Sequence, residues 1–235
     1  MAALHNLYLV RENFWNVVYN RLRKSQVGEN IMVSLNTERH TFRSPEFRSV
    51  VEEAIAFFEG TPVHELPPPG RFAGCGAYAL YYLGGYELYA GIARPNRDAC
   101  VLPIYVGKAV PPGWRAARVP ATEMGLLYGR LREHARNIQQ TRSLDVGDFR
   151  CRFVILQETA GDLIVPVEAA LIRKYRPLWN SVIDGFGNHD PGKGRYNQAR
   201  SEWDVLHPGR LWADRLTGES PVLEEAIAKI QAALG

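Results

Sequence analysis

Apolar residues recur at the three- and four-residue spacing of a helix face in five stretches of the chain. The second stretch begins at Ser44-Pro45-Glu46, which supplies an N-cap, a first-turn proline and an early acid. Ser220 and Pro221 cap and start the last stretch, and Pro177 stops the fourth. The predicted helices span residues 5–24, 44–60, 124–138, 166–175 and 220–234.

Four shorter stretches predict β-strands. Residues 76–83 are rich in aromatic side chains, and residues 149–156 alternate between apolar and polar positions. Residues 85–93 and 102–107 are the other two candidate strands. Because these strands are interleaved with predicted helices from Gly74 onward, the pattern indicates an α/β fold.

Changes in composition mark the borders of this α/β part. The proline-rich segment 62–70 ends a helical N-terminal extension, and residues 183–200 change to Gly, Asn, Asp, Lys and Arg. We therefore divide the chain into a helical extension at 1–70, an α/β module at 71–183, and a loop with a C-terminal helix at 184–235.

Charge and cysteine content narrow the class of protein. The formal net charge is only +3, yet 19 Lys and Arg stand against 13 Asp and Glu between Arg71 and Arg210. Most are Arg, which grips phosphate or guanine through two hydrogen bonds, although a GC-rich genome would also favour Arg. The three cysteines form no C-x-x-C pair, and no apolar run approaches the length of a membrane span. We expect a cytoplasmic protein without a zinc ribbon, a disulfide framework or a membrane partner.

Candidate catalytic residues form an ordered series that begins on the first predicted strand. Gly76-Ala77-Tyr78 lies on that strand, and Tyr105-Val106-Gly107 lies on another, followed by Lys108. Arg130 and His134 are four residues apart on a predicted helix, so their side chains share a face. Any one of these short matches carries little weight by itself.

The series continues with Glu168 near the start of the next helix and Asn180 just after that helix. Taken in order over residues 72–182, these elements resemble the GIY-YIG nuclease superfamily. That family has a G-I-Y strand, a Y-I-G strand, an R-x-x-x-H helix, a metal-binding Glu and a late Asn. Ala77 and Val106 replace the two isoleucines, and both changes are apolar and at non-catalytic positions.

The tail of the chain narrows the resemblance. Residues 183–210, with the runs GFGNHDPGKGR and WDVLHPGR, are similar to type II restriction endonucleases of this superfamily, as is the Arg-rich insert after Lys108. The resemblance implies a small mixed or antiparallel sheet flanked by helices, with helical extensions at both ends. It implies a Mg²⁺-dependent endonuclease (Mn²⁺ is the alternative ion) that cuts double-stranded DNA as a homodimer at a GC-rich palindrome. This branch includes enzymes that cut CCGCGG.

Phosphodiester hydrolysis needs a water nucleophile, charge neutralisation on the phosphate and help for the departing oxygen. The resemblance assigns Glu168 to the metal ion and Arg130 to the phosphate. Without the resemblance, Glu168 would be interpreted as an acidic residue that interacts favourably with the dipole at the start of its helix. Arg130 would be interpreted as a surface residue in an ordinary ion pair. Tyr78 is the candidate general base or water-positioning group, unless Lys108 is the base. Tyr105 would orient the water or a phosphate oxygen.

Three more positions have open roles. His134 either relays a proton, contacts the phosphate or the Tyr78 hydroxyl, or is structural. Asn180 either orients the site by hydrogen bonding or caps a helix. His189 and Asp190 suggest a metal pair, but the glycine-rich loop around them favours turn chemistry.

Basic residues outside the series are candidates for DNA contact. Pro- and Gly-interrupted segments can project into a groove, where Arg reads guanine; a solvated basic loop is the alternative. The candidates are Arg115, Arg118, Lys193, Arg195 and Arg200.

Three rival functions remain open from the sequence. A repair or homing nuclease of the same superfamily would normally carry further DNA-binding domains. A non-catalytic DNA-binding module would be favoured by loss of Arg130 or Glu168, and both are present. A small-molecule binder is the third alternative, and the sequence has no G-x-G-x-x-G or P-loop spacing to support it.

Overall fold

The computed structural model describes residues 35–111 and 126–235. It divides into two units at Ser44. The described part of the first unit contains a short 3-10 turn, Thr37–His40. The helix predicted at 5–24 lies outside the described residues.

The second unit combines one sheet with seven α-helices over the described residues. The helices are α1 (Pro45–Gly60), α2 (Ala90–Asp98), α3 (Leu126–Gln139), α4 (Ile164–Tyr175), α5 (Leu178–Ser181), α6 (Glu202–Leu206) and α7 (Leu223–Leu234). The strands are β1 (His64–Glu65), β2 (Gly76–Tyr82), β3 (Tyr105–Ala109) and β4 (Phe149–Ile155). Among the described helices, none has the length and apolar character that crossing a membrane would require.

The four strands form one antiparallel sheet in the order β1-β4-β2-β3. Of the two predicted arrangements, mixed or antiparallel, the antiparallel one is therefore confirmed. Tyr78 at the centre of β2 lies opposite Gly107 on β3 and opposite Phe153 on β4. This register places the first predicted motif beside the second.

Strand β2 is buried on both faces, because helices cover both sides of the sheet. Alternate side chains point to opposite faces of a strand, so Tyr78 and Ala77 enter different cores. The core around Tyr78 is completed by apolar residues of α3, α5, α6 and α7. The core around Ala77 is completed by residues of α1 and α4. Helix α1 therefore packs on the same sheet as the candidate catalytic residues.

Two glycines allow the close approaches that hold Tyr78 in place. A Cβ on Gly107 would lie 2.5 Å from the Tyr78 hydroxyl oxygen and 2.6 Å from the ring carbon that bears it. A Cβ on Gly76 would lie 1.9 Å from the carbonyl oxygen of Val154 on β4. The glycines of both strand motifs are therefore required by packing against neighbouring atoms.

The strand predicted at 85–93 is wrong. A 3-10 turn at Glu87–Tyr89 leads directly into α2. Tyr89 and Ala93 are four residues apart and both are fully buried, so helical spacing places them on the same core-facing side. The aromatic residues of this stretch have a high strand propensity, but tertiary packing outweighs this local preference.

Three element boundaries also differ from prediction. The last helix begins at Leu223 after the N-cap Val222, so Ser220 and Pro221 precede it. Strand β3 begins at Tyr105 rather than at residue 102. Helix α4 begins at Ile164, which places Pro166 within its first turn, where the missing N–H costs nothing.

Candidate active site

Five of the predicted catalytic side chains line one open pocket. They come from four elements: β2, β3, α3 and α4. The residues are Tyr78, Tyr105, Lys108, Arg130 and Glu168. Because these positions are up to 90 residues apart in the chain, the fold alone brings them together.

Tyr78 is shielded from bulk water and is one of the residues that line the pocket. The hydroxyl oxygen is 2.6 Å from Nε2 of His134. Burial and the neighbouring Tyr105 raise the pKa of Tyr78 well above its ordinary value, while the Arg130 guanidinium acts in the opposite direction. As the protein stands, Tyr78 is a neutral phenol held by His134.

His134 is buried behind Tyr78. Burial and the positive charge of Arg130 lower the pKa of His134 well below its ordinary value, so the imidazole is neutral. Its ring stacks on Phe186 with the ring centroids 4.7 Å apart. Within the described part of the chain, Nδ1 of His134 has no hydrogen-bond partner. Of the predicted roles for His134, the structure shows the contact with the Tyr78 hydroxyl.

Tyr105 lies beside both of these residues. Its ring centroid is 6.3 Å from that of Tyr78 and 5.2 Å from that of His134. Burial raises the pKa of Tyr105, and Arg130 opposes this shift. Tyr78 and Tyr105 therefore line one side of the pocket, and the ring of His134 packs against both of them.

Glu168 lies in the second turn of α4 and accepts a hydrogen bond from Nζ of Lys108. Its side chain is only 15% exposed, but it borders the open pocket. No group of three or more His, Cys, Asp and Glu suited to a metal occurs among the described residues. One carboxylate still fits Mg²⁺, which keeps several waters and accepts phosphate oxygens as ligands.

Asn180 clamps the edge strand from α5. Its Oδ1 accepts from the backbone N–H of Val106, and its Nδ2 donates to the carbonyl of Val106, both at 2.8 Å. Helix α4 ends at Tyr175, so Asn180 is not its cap. The side chain fixes the strand that carries Tyr105 and Lys108.

The loop after α5 forms another wall of the site, which the sequence did not reveal. Phe186 packs against His134, and a Cβ on Gly187 would lie 2.7 Å from the Tyr105 hydroxyl oxygen. His189 then reaches Arg130, with Nε2 2.7 Å from Nη1. The Gly-rich composition indicated a loop at these positions but not its contact with the site.

Arg210 holds this loop in place from the interior. Its guanidinium is fully buried and pairs with Asp204 at 2.6 Å. It donates to the carbonyls of Gly185, Phe186 and Asn188. The rings of Trp203 and Trp212 each lie 4.6 Å from it. An Arg within a tryptophan-rich segment is the sequence signal that could have indicated this role.

The candidate DNA contacts occupy different environments. Lys193 and Arg195 are exposed on the loop. Arg200 is half-buried and faces Asp214 at 3.8 Å. Arg115 and Arg118 lie outside the described residues.

The turn contacts predicted at His189 and Asp190 are confirmed for Asp190 and wrong for His189. Asp190 accepts from the backbone N–H of Gly192 at 2.8 Å, which is a turn contact. His189 makes no such turn contact and instead bridges Arg130 and Glu133.

Residues 70–234 match the family model described as the Eco29kI GIY-YIG domain. No curated protein matches the chain. The matched range includes every candidate site residue named above, in both the sheet and the loop that follows it.

Proposed function

The chain belongs to the Eco29kI GIY-YIG family, which makes it a DNA endonuclease, and from this membership we propose that it is a type II restriction endonuclease. It makes sequence-specific cuts in both strands of a GC-rich palindrome with Mg²⁺ or Mn²⁺. The observation that carries the proposal is the convergence of Tyr78, Arg130 and Glu168 on one pocket. A base, a phosphate-binding cation and a carboxylate for a metal are the groups that phosphodiester hydrolysis needs.

The proton path runs through two residues. A water beside Tyr78 attacks phosphorus and transfers a proton to the Tyr78 oxygen, while the Tyr78 proton moves to Nε2 of His134. The 2.6 Å contact between the two side chains supports this transfer. The P–O bond to the 3′ oxygen breaks, and its electron pair leaves with that oxygen.

The lowered pKa of His134 opposes its protonation, because burial and Arg130 both disfavour the imidazolium. A bound phosphate supplies the compensating negative charge, since Arg130 and Tyr78 border the same pocket. Proton transfer to His134 is therefore less unfavourable with DNA in the site than in the free protein. This dependence would limit wasteful ionisation in the free enzyme.

Arg130 binds the phosphate in this scheme, and Tyr105 orients the water or a phosphate oxygen. Glu168 would hold the divalent ion, which supplies charge stabilisation to the phosphate and the departing oxygen when bound. Lys108 as the base is the competing assignment. Its Nζ donates to Glu168, so a lone pair is not presented to water in this arrangement.

The proposed division of labour follows the chain. Residues 71–183 carry the catalytic module, residues 184–235 contact DNA, and residues 1–70 are the N-terminal extension. A palindromic site matches a two-fold symmetric homodimer, because each subunit then reads one half-site. Exposure of Lys193 and Arg195 supports a DNA-contacting role for the loop.

Digestion of a long DNA of known sequence with Mg²⁺, followed by mapping of the fragment ends, tests the function. We expect ends that recur at one palindrome, with CCGCGG as the first candidate. A duplex with one CCGCGG and a matched duplex with that site scrambled test this candidate. Glu168→Ala is the control for contaminating nucleases.

Other digestion results would contradict the proposal in distinct ways. Ends scattered over the DNA would indicate a repair or homing nuclease. Tight binding without cleavage would indicate a non-catalytic module. Sedimentation of the protein with and without the cleaved site tests the homodimer, and a single chain per site that nicks one strand would exclude it.

A further inference from the structure

Arg130, Glu133 and His189 form a closed triangle of contacts at the edge of the pocket. Nη1 of Arg130 lies 2.8 Å from Oε2 of Glu133 and 2.7 Å from Nε2 of His189. Nδ1 of His189 lies 2.5 Å from Oε1 of Glu133. Glu133 lies about one turn beyond Arg130 on the same helix. His189 lies on the loop after α5, 59 residues from Arg130 in the chain.

The chemistry of the partners fixes the state of the histidine ring. Arginine has no acceptor, so Nε2 of His189 accepts from Arg130. A carboxylate has no donor, so Nδ1 of His189 carries the proton and donates to Glu133. The triangle therefore requires a neutral imidazole in one tautomer, and each of its three contacts then has one donor and one acceptor.

Stability gives little reason for this arrangement. The side chains of His189 and Glu133 are 55% and 32% exposed, and that of Arg130 is 26% exposed. Ion pairs this accessible to water contribute little to the stability of a fold. What the triangle does is hold one end of a long, flexible side chain. The same side chain lines the pocket beside Tyr78, so the contacts of Nη1 hold Arg130 at the edge of the site.

Buried contacts hold the loop that carries His189. The carbonyls of Gly185, Phe186 and Asn188 all accept from the buried Arg210. Phe186 is fully buried against His134. These buried contacts therefore fix the backbone that leads to His189 against the side of the site that contains His134.

We propose that His189 is a positioning residue, which holds the Arg130 guanidinium in the orientation that binds the scissile phosphate as charge develops on it. The role rests on the proposed nuclease function and extends it to a residue outside the family's motif series. A misplacement of about 1 Å in such a group costs about 100-fold in rate. His189 acts through Arg130 and does not contact the reacting atoms.

Three substitutions at His189 test the role in the full-length protein. His189→Ala removes both contacts. His189→Gln places an amide oxygen at the reach of Nε2 and can still accept from Arg130, whereas His189→Asn reaches only as far as Nδ1 and can still donate to Glu133. Single-turnover cleavage at saturating DNA is measured for each, alongside the Kd for DNA.

We expect His189→Ala to lower the single-turnover rate about 10- to 100-fold and to change the Kd less than threefold. His189→Gln should recover more of the rate than His189→Asn. In an Arg130→Lys background, His189→Ala should have almost no further effect, because the group that it positions is gone. Glu53→Ala, an exposed change on α1 that lies outside both the pocket and the DNA-contacting loop, is the control and should match wild type.

A wild-type rate for His189→Ala, or an equal loss in the Arg130→Lys background, would overturn the role of His189 while leaving the nuclease function intact. A faster His189→Ala enzyme would also overturn it, since His189 would then restrain Arg130. Absence of cleavage by the wild-type protein would instead refute the nuclease function together with this role. Nitrogen NMR of the His189 ring gives an independent test, since protonation at Nε2 would contradict the triangle.

Discussion

The hydroxyl oxygen of Tyr78 lies 2.6 Å from Nε2 of His134, and both side chains are buried from bulk water. One residue comes from the central strand and the other from α3, 56 residues later. The pair joins a phenol with a raised pKa to an imidazole with a lowered pKa. These opposite shifts keep both groups neutral in the free protein.

Tyr78→Phe should therefore remove the proton path and keep the ring that packs over Gly107. We expect the cleavage rate to fall about 100- to 10,000-fold, the range associated with loss of a general base. Single-turnover cleavage and the thermal midpoint are the measurements. Tyr81→Phe, which removes a buried hydroxyl from the opposite face of the same strand, is the control. Activity within a few-fold of wild type would transfer the role of base to Lys108.

Glu168→Gln should retain the shape of the side chain and an oxygen for Lys108 but lose the charge that holds a divalent ion. We expect cleavage to fall at least about 100-fold, equivalent to ~2.7 kcal/mol, with DNA affinity nearly unchanged because phosphate contacts dominate binding. Asp162→Asn, an exposed acid shortly before α4, is the control. Cleavage by the Gln variant at near wild-type rate would exclude a metal held by this carboxylate.

A second buried histidine should make the fold sensitive to acid. His207 lies between Ser143, 2.7 Å from Nδ1, and Tyr89, 2.5 Å from Nε2, and burial lowers its pKa from 6.5 to about 3. The unfolded chain binds this proton at a higher pH than the folded chain does. The stabilisation is therefore complete above pH 6.5 and declines by about 1.4 kcal/mol per pH unit as the pH falls toward 3.

Urea unfolding at several pH values, from about one unit above to about two units below the ordinary histidine pKa of 6.5, measures this dependence. His207→Gln should be less stable at neutral pH, because it replaces a buried ring, but should lose less stability on acidification. His134 acts in the same direction, so some slope will remain. Equal slopes in the variant and the wild type would show that His207 does not control the acid limb.

The residues that read the DNA bases should lie in the insert after Lys108 and in the loop after α5, not among the catalytic residues. The catalytic residues must hold one phosphate whatever the neighbouring bases are. Alanine variants of four residues, assayed on all single-base variants of the cleaved site, test this: Arg115, Arg118, Lys193 and Arg195. A base-reading Arg should cost about 1–3 kcal/mol and relax one position. A phosphate contact should weaken all sequences equally and flatten the salt dependence. Uniform loss in all four variants would place the reading surface elsewhere.

The sequence predicts the strand β2 from its aromatic residues and the helix α3 from its helical spacing of apolar residues. It does not predict α2, where Tyr89 and neighbouring aromatics favour a strand locally but bury as a helix. Local preference was outweighed there by packing against β2, which no short window contains.

The site divides in the same way. The order of motifs indicates which residues share a pocket, since each motif is local. The supports of that pocket could not be predicted, because they join distant positions through irregular backbone. His189 reaches Arg130 across 59 residues, and Arg210 binds carbonyls 22 to 25 residues away. Carbonyl contacts leave no signature in side-chain pattern.

The amide clamp of Asn180 on Val106 has a consequence for how two copies of the chain can meet. Strand β3 is the last strand in the sheet order, and an exposed edge is a template for pairing with a strand of another molecule. Asn180 occupies both the N–H and the carbonyl that Val106 would offer. Extension of the sheet from one protomer into the next is therefore blocked at this residue. Any pairing of two copies of the chain must use surfaces other than this part of the edge, and the same block disfavours aggregation through it.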